Sequence, residues 1–182
     1  MSSGCTNTAC GPRSAKTTDT NKTAKSIPVA LSFRRNGDGS FGVTLPMHDR
    51  SLLEALVPQM RELIEHHDPD TWRHFPNPYP KHERAADEYS ELIGDDLKDG
   101  HLAALDTVMK TLDAKRLDED QMVSWMHAIN HLRLFMGTRL GVTEESDFDD
   151  FSTDEGLALF EMYCYLGHVL ELIVRAVSGN DF

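Results

Sequence analysis

Asp118 to Gly141 reads DEDQMVSWMHAINHLRLFMGTRLG, and it carries the marks of a buried helix from start to stop. Asp118 with Gln121 three residues later forms a capping box, in which each side chain satisfies a backbone amide that a helix start leaves unbonded. Trp125, Ile129, Leu132, Met136 and Leu140 then recur at three- and four-residue steps along one face. Gly141 stands where a left-handed C-terminal cap favours a residue without Cβ. A stripe this long needs other helices to cover it, so the chain is expected to be mainly α.

Toward the N-terminus, Lys81 to Leu112 reads as one long helix or two. Tyr89, Leu92 and Ile93 precede Gly94, and Leu102, Leu105, Val108, Met109 and Leu112 follow Gly100. His66 to Pro80 sets Pro69, Pro76, Pro78 and Pro80 around Trp72, Phe75 and Tyr79, an irregular connector whose aromatics are expected to plug the core. Before it, Leu52, Leu53, Leu56, Met60, Leu63 and Ile64 share a helical face, with Pro58 predicted to bend or split that helix. The segments VALSF and FGVTL, on either side of Asn36 to Gly39, predict a short hairpin lying against the helices as a flap.

Toward the C-terminus, Thr143 to Glu155 holds seven acids and no base, which predicts an exposed, self-repelling loop. Ser152 with Glu155 reads as a second capping box. The helix it opens, running to about Val177, is apolar around most of its circumference and is expected to be the central one. The expected fold is a bundle of about five helices with a short N-terminal β-hairpin. Residues 1–26 are rich in Ser, Thr, Asn, Gly and Lys and are expected to form a disordered tail, and residues 27–182 one helical domain.

The 182 residues suit a single domain. No continuous apolar run approaches the roughly 18 residues of a membrane span, and Met1 to Ser26 has no signal-peptide core, so a cytoplasmic protein with no membrane association is expected. The net charge is −12, unevenly spread: beyond residue 40 the chain carries 12 basic and 28 acidic side chains. A body of that sign repels phosphate, which makes direct nucleic-acid binding unlikely on charge grounds. Three cysteines, Cys5, Cys10 and Cys164, are too few for a secreted disulfide framework, and any disulfide here would be regulatory.

Several polar residues invite a functional reading. On a helix, Cys164 falls in a stripe with Glu161, His168, Glu171 and Arg175, where protonated His168 or Arg175 would stabilise a thiolate; the alternative is a small residue filling a helix crossing. His127 and His131 stand at the i, i+4 spacing of paired metal ligands. Two ligands do not make a site, and His66, His67 or a distant acid would have to complete it, so no metal and no cofactor is expected. Asn130, Arg133 and Arg139 are the polar members of the Trp125 helix; they either pin neighbouring segments or, in the case of Arg133, anchor an acidic partner surface. No phosphate loop, nucleophile elbow or four-ligand metal pattern is present in the sequence.

The run from Trp125 to Gly141, WMHAINHLRLFMGTRLG, resembles the signature of the AosR family, the actinomycete oxidative stress regulators, a family long labelled as of unknown function. The runs Trp72-Arg73-His74-Phe75-Pro76-Asn77-Pro78-Tyr79 and Ala85-Ala86-Asp87-Glu88-Tyr89 are similar to the same family's middle section, and the likeness spans roughly Leu31 to Val177. The resemblance implies a redox-responsive regulator of transcription that contacts a sigma factor or polymerase component without catalysis. It also implies a disulfide in a Cys-x-Asp/Glu-x-x-Cys motif. Cys5-Thr6-Asn7-Thr8-Ala9-Cys10 has that spacing, with Asn7 at the acidic position. Two other functions fit the residues: a non-catalytic adaptor without redox input, and, less readily, an enzyme with an unfamiliar polar pocket.

Overall fold

The computed structural model describes residues 30–143, 151 and 153–179. Cys5, Cys10, the expected tail and most of the acidic loop, Ser152 included, lie outside those residues. In chain order the elements are β1 (Ser32–Arg35), β2 (Phe41–Thr44), α1 (Met47–Glu65), a 3-10 helix (Pro69–His74), α2 (Glu83–Thr111), β3 (Arg116–Leu117), α3 (Glu119–Leu140) and α4 (Asp154–Ser178). The molecule is mainly helical, with a small sheet near its N-terminal end.

The stretch Asp118 to Gly141 forms the expected helix. Asp118 accepts from the Gln121 amide at 2.8 Å, and the Gln121 side chain accepts from the Asp118 amide at 3.0 Å. Gly141 closes the helix at φ 67. Its buried set is wider than one stripe, because Met122, Ala128, His131, Phe135 and Gly137 are buried as well as Trp125, Ile129, Leu132 and Met136. This helix, α3, is the central one, touching α4, α2, α1 and the 3-10 helix.

That overturns the expectation for the last helix. In α4 only Leu166, Val169, Ile173 and Ala176 are buried, a single stripe set on α3 and β1. Mean hydropathy measures how much apolar surface a helix carries and is blind to how many neighbours cover it. By length and composition α4 would suffice to cross a membrane, with a mean hydropathy of 1.5 over its most apolar window. Its N-cap is Thr153, whose hydroxyl accepts from the Gly156 amide at 3.1 Å, one residue beyond the capping box expected at Ser152.

Two sequence ambiguities resolve simply. Pro58 lies inside an unsplit α1: Val57 and Met60 on either side are both buried, so packing holds the two halves on one core face. Lys81 to Leu112 gives one helix, α2, running through Gly94 and Gly100.

The hairpin is more than a flap. Phe33, Phe41 and Val43 belong to the core, and Phe41 pairs with Leu117 of β3 to make a three-stranded antiparallel sheet in the order β1-β2-β3. The turn is held by Asp38, which accepts from Ser40 and from Arg116 at 2.7 Å; the Ser40 hydrogen bonds, with Arg116 adding, hold its carboxyl below the usual range.

A polar latch joins the two ends of the helical bundle. The Tyr165 hydroxyl of α4 donates to the buried carboxylate of Asp49 at the start of α1, and burial first, then Asp49, raises the tyrosine above its ordinary pKa. Tyr165→Phe leaves that carboxylate without its donor and is expected to cost about 1–3 kcal/mol in chemical denaturation. A loss below about 0.5 kcal/mol would show the latch to be idle.

Candidate functional site: an acidic aromatic groove backed by histidines

The connector after α1 turns sharply at His67, a non-glycine residue at φ 50. Asp68 caps the 3-10 helix by accepting from the Asp70 amide at 2.9 Å, and Pro69 at the first position has no amide to leave unbonded. In a 3-10 helix residues three apart share a face, which buries Thr71 and His74 together and sends Trp72 outward. Trp72 is 60% exposed and Tyr79 45%, so these two aromatics are not the core plugs the sequence suggested. Phe75 alone of the three packs on the core.

Facing the connector is the first half of α2. None of Glu83 to Gly100 is buried; the first buried residue of the helix is Ala104. Leu92 stands 77% exposed. Between the two elements lies a half-open groove of about 410 Å3, lined on one side by Trp72, Phe75 and Pro76 and on the other by Ala86, Tyr89, Ile93 and Leu97. Asp68, Asp87 and Asn77 line it as well. Tyr79 meets Tyr89 edge-on at 6.0 Å, tying the proline-rich end of the connector to α2.

Behind the groove three histidines from three elements converge. The rings of His101 (α2) and His131 (α3) lie 4.2 Å apart between centroids, and His74 of the 3-10 helix lies 5.2 Å from His131. His74 faces carbonyl oxygens with both ring nitrogens, Thr71 at 3.1 Å and His131 at 3.0 Å, and His101 donates to the His74 carbonyl at 3.0 Å. Both ring nitrogens of His131 are buried without a hydrogen-bond partner among the described residues. Burial, with His101, His74 and His127 adding repulsion, pushes its pKa down to about 3. Burial also lowers His74, against the two carbonyls that favour its charged form. The set fixes the connector to α2 and α3, and so fixes one wall of the groove relative to the other.

The residues singled out in the sequence are spread over the molecule. His127 is exposed and stacks loosely on His131 at 6.5 Å; His66 bonds the Glu62 carbonyl of α1, His67 lines the groove beside Phe75, and no group of three or more His, Cys, Asp or Glu among the described residues is arranged to hold a metal ion. Trp125 is buried, donates to the Thr111 hydroxyl at 2.8 Å and meets Phe33 edge-on. Arg133 lies over the Tyr163 ring at 4.6 Å and donates to its hydroxyl at 2.7 Å, joining α3 to α4. Arg139 is exposed, 3.9 Å from Asp70. Asn130 is half-buried, and its side chain makes no hydrogen bond with the described residues. Cys164 is exposed, which removes the reading of a space-filler at a helix crossing. In the sequence His74 and His101 carry one signal only, the core spacing of His101 with Ala104, Leu105 and Val108.

Residues 30–177 match a family described as a domain of unknown function, DUF2017. The chain belongs to the DUF2017 family. The DUF2017 match spans the sheet, the connector, the groove and all but the last residue of α4. No curated protein and no solved structure matches this DUF2017 chain.

Proposed function

We propose that this protein is an AosR-like, redox-responsive regulator that acts in transcription through protein contact with a sigma factor or polymerase component, and not by turnover. The observation that carries the contact reading is the groove: Trp72 stands exposed in a cavity whose α2 wall has no buried residue, and Tyr79, which meets the lining residue Tyr89, is exposed as well. Large rigid aromatics at a half-open apolar cleft are the anchors from which protein interfaces draw most of their energy. The likeness of the Trp125 to Gly141 run to the oxidative stress regulators supplies the biological setting. The thiol input is assigned to Cys5 and Cys10: hydrogen peroxide takes two electrons and two protons from the two thiols, giving one disulfide and two waters.

Affinity capture from a host lysate, with and without peroxide, tests the proposal. The wild-type chain is expected to recover a sigma factor or polymerase subunit, and Trp72→Ala to weaken that recovery by roughly 30-fold, the effect of losing an anchor worth about 2 kcal/mol. Because Trp72 is exposed, the variant should keep the wild-type denaturation midpoint. Replacing Cys5, Cys10 and Cys164 with Ser should abolish the response to peroxide; unchanged behaviour would favour an adaptor without redox input. Recovery of no transcription protein under either condition would sink the reading.

A further inference from the structure

We infer that the occupant of this groove is a cationic amphipathic helix supplied by the partner. The inference rests on the docking reading above and adds the partner's chemistry. The groove's lining combines an apolar set, Trp72, Phe75, Ile93 and Leu97, with two carboxylates, Asp68 and Asp87. Tyr89, Ile93 and Leu97 form one ridge along α2 opposite Trp72 and Phe75. They span about 12 Å at 1.5 Å per residue, the length over which a second helix places two or three apolar anchors at i, i+3 or i+4, and i+7.

The charge around that apolar set is mostly negative, with one cation, Arg73, lying over the Trp72 ring at 5.2 Å. Glu83 to Gly100 contains seven acids and two bases, and both bases are engaged: Arg84 pairs with Glu88, and Lys98 donates to the Glu65 carbonyl. Glu83, Asp87, Glu91, Asp95, Asp96 and Asp99 have no ion-pair partner among the described residues. Asp68 adds a further carboxylate from the connector side. Lysines and arginines flanking an apolar face would find Asp87 on the α2 side of the groove and Asp68 on the connector side, within the wider negative field of α2. A second copy of this chain would bring the same negative charge, and a phosphate backbone or an anionic lipid surface would be repelled by it. The stretch Ser2 to Ser26, which carries the chain's own basic residues Arg13, Lys16, Lys22 and Lys25, has no large apolar side chain of its own to seat in the groove.

Three synthetic peptides of equal length test the assignment by amide chemical-shift mapping on the full chain. One is an amphipathic helix of leucine and lysine, the second a scramble of it with the same charge and no apolar face, the third the amphipathic helix with glutamate for lysine. The first is expected to shift Tyr89, Ile93, Leu97 and the Trp72 indole, and to bind at least tenfold tighter than either control. Asp87→Lys should weaken it at least threefold, and Trp72→Ala tenfold, with the fold intact. Equal binding of the scramble would reduce the effect to surface charge and overturn the assignment, as would tight binding of the glutamate peptide or shifts confined to another face. Groove shifts that grow with the concentration of the chain alone would assign the groove to self-association instead. If the lysine peptide fails while Trp72-dependent capture of a transcription protein holds, only the occupant's chemistry falls. If the peptide seats in the groove and capture fails, the transcription reading falls alone.

Discussion

Trp125→Ala is expected to remove about 3–5 kcal/mol of folding stability, a large share of what a domain of this size possesses. The side chain is 1% exposed and stands where three parts of the molecule meet. Phe33 of β1 presents its edge to the indole at a centroid distance of 5.9 Å, Thr111 at the end of α2 accepts its N–H, and the residue itself belongs to α3. Truncation to alanine therefore leaves a cavity walled by sheet and helices, a threonine hydroxyl that keeps its bond to the Thr107 carbonyl but loses the indole donor, and a phenylalanine without its aromatic partner. Trp125→Phe isolates the hydrogen bond and part of the volume, and should cost about 1–2 kcal/mol. Urea denaturation followed by far-ultraviolet circular dichroism separates the two. A loss under about 1 kcal/mol for the alanine variant would mean that the hairpin is not anchored through this indole.

Acid is expected to unfold the protein earlier than its carboxylates alone would dictate, because of His131. In the unfolded chain a histidine titrates near 6.5; in the fold His131 titrates at about 3. Above pH 6.5 the ring is neutral in both states and the difference costs nothing. Between 6.5 and 3 the unfolded chain holds the proton and the folded chain does not, so stability falls as pH falls, by up to about 1.4 kcal/mol per pH unit for this group. His74, lowered in the same direction, adds to the slope. His131→Leu removes two buried nitrogens that lack partners, so the variant should be at least as stable at pH 7 and lose about one proton's worth of the acid slope. Denaturation midpoints at half-unit intervals from pH 7.5 to 4 check both statements. An unchanged slope in the variant would place the acid sensitivity elsewhere.

What could be read from the sequence follows the range of the interactions involved. Asp118, Gln121 and Gly141 define α3 through contacts three or four residues apart, and such contacts are legible one segment at a time. The two-residue strand β3 exists only because Phe41 and Leu117, far apart in the chain, lie side by side, and Arg116-Leu117 carries no strand pattern of its own. That α3 and not α4 is the central helix is hidden in the sequence for a related reason. Aliphatic and aromatic side chains fill α4, whereas α3 mixes in His127, Asn130, His131 and Arg133, and only the packing reveals that His131 is covered on all sides. At the groove, the connector's prolines and aromatics were visible, but the three-residue period that turns Trp72 outward was not. His74 and His101 met the same limit: each is an unremarkable residue until the 3-10 helix and α2 bring them to His131.

The small sheet has a bearing on colloidal behaviour. Its two outer strands, β1 and β3, leave backbone donors and acceptors that a strand from another molecule would otherwise extend into an intermolecular ladder. Both are very short, β1 places Arg34 and Arg35 side by side at exposed positions, and Arg35 reaches across to the Val177 carbonyl at the end of α4. A neighbouring copy attempting to add a strand would have to seat itself against those adjacent cations, so the sheet is protected from runaway edge-to-edge stacking even when the protein is concentrated.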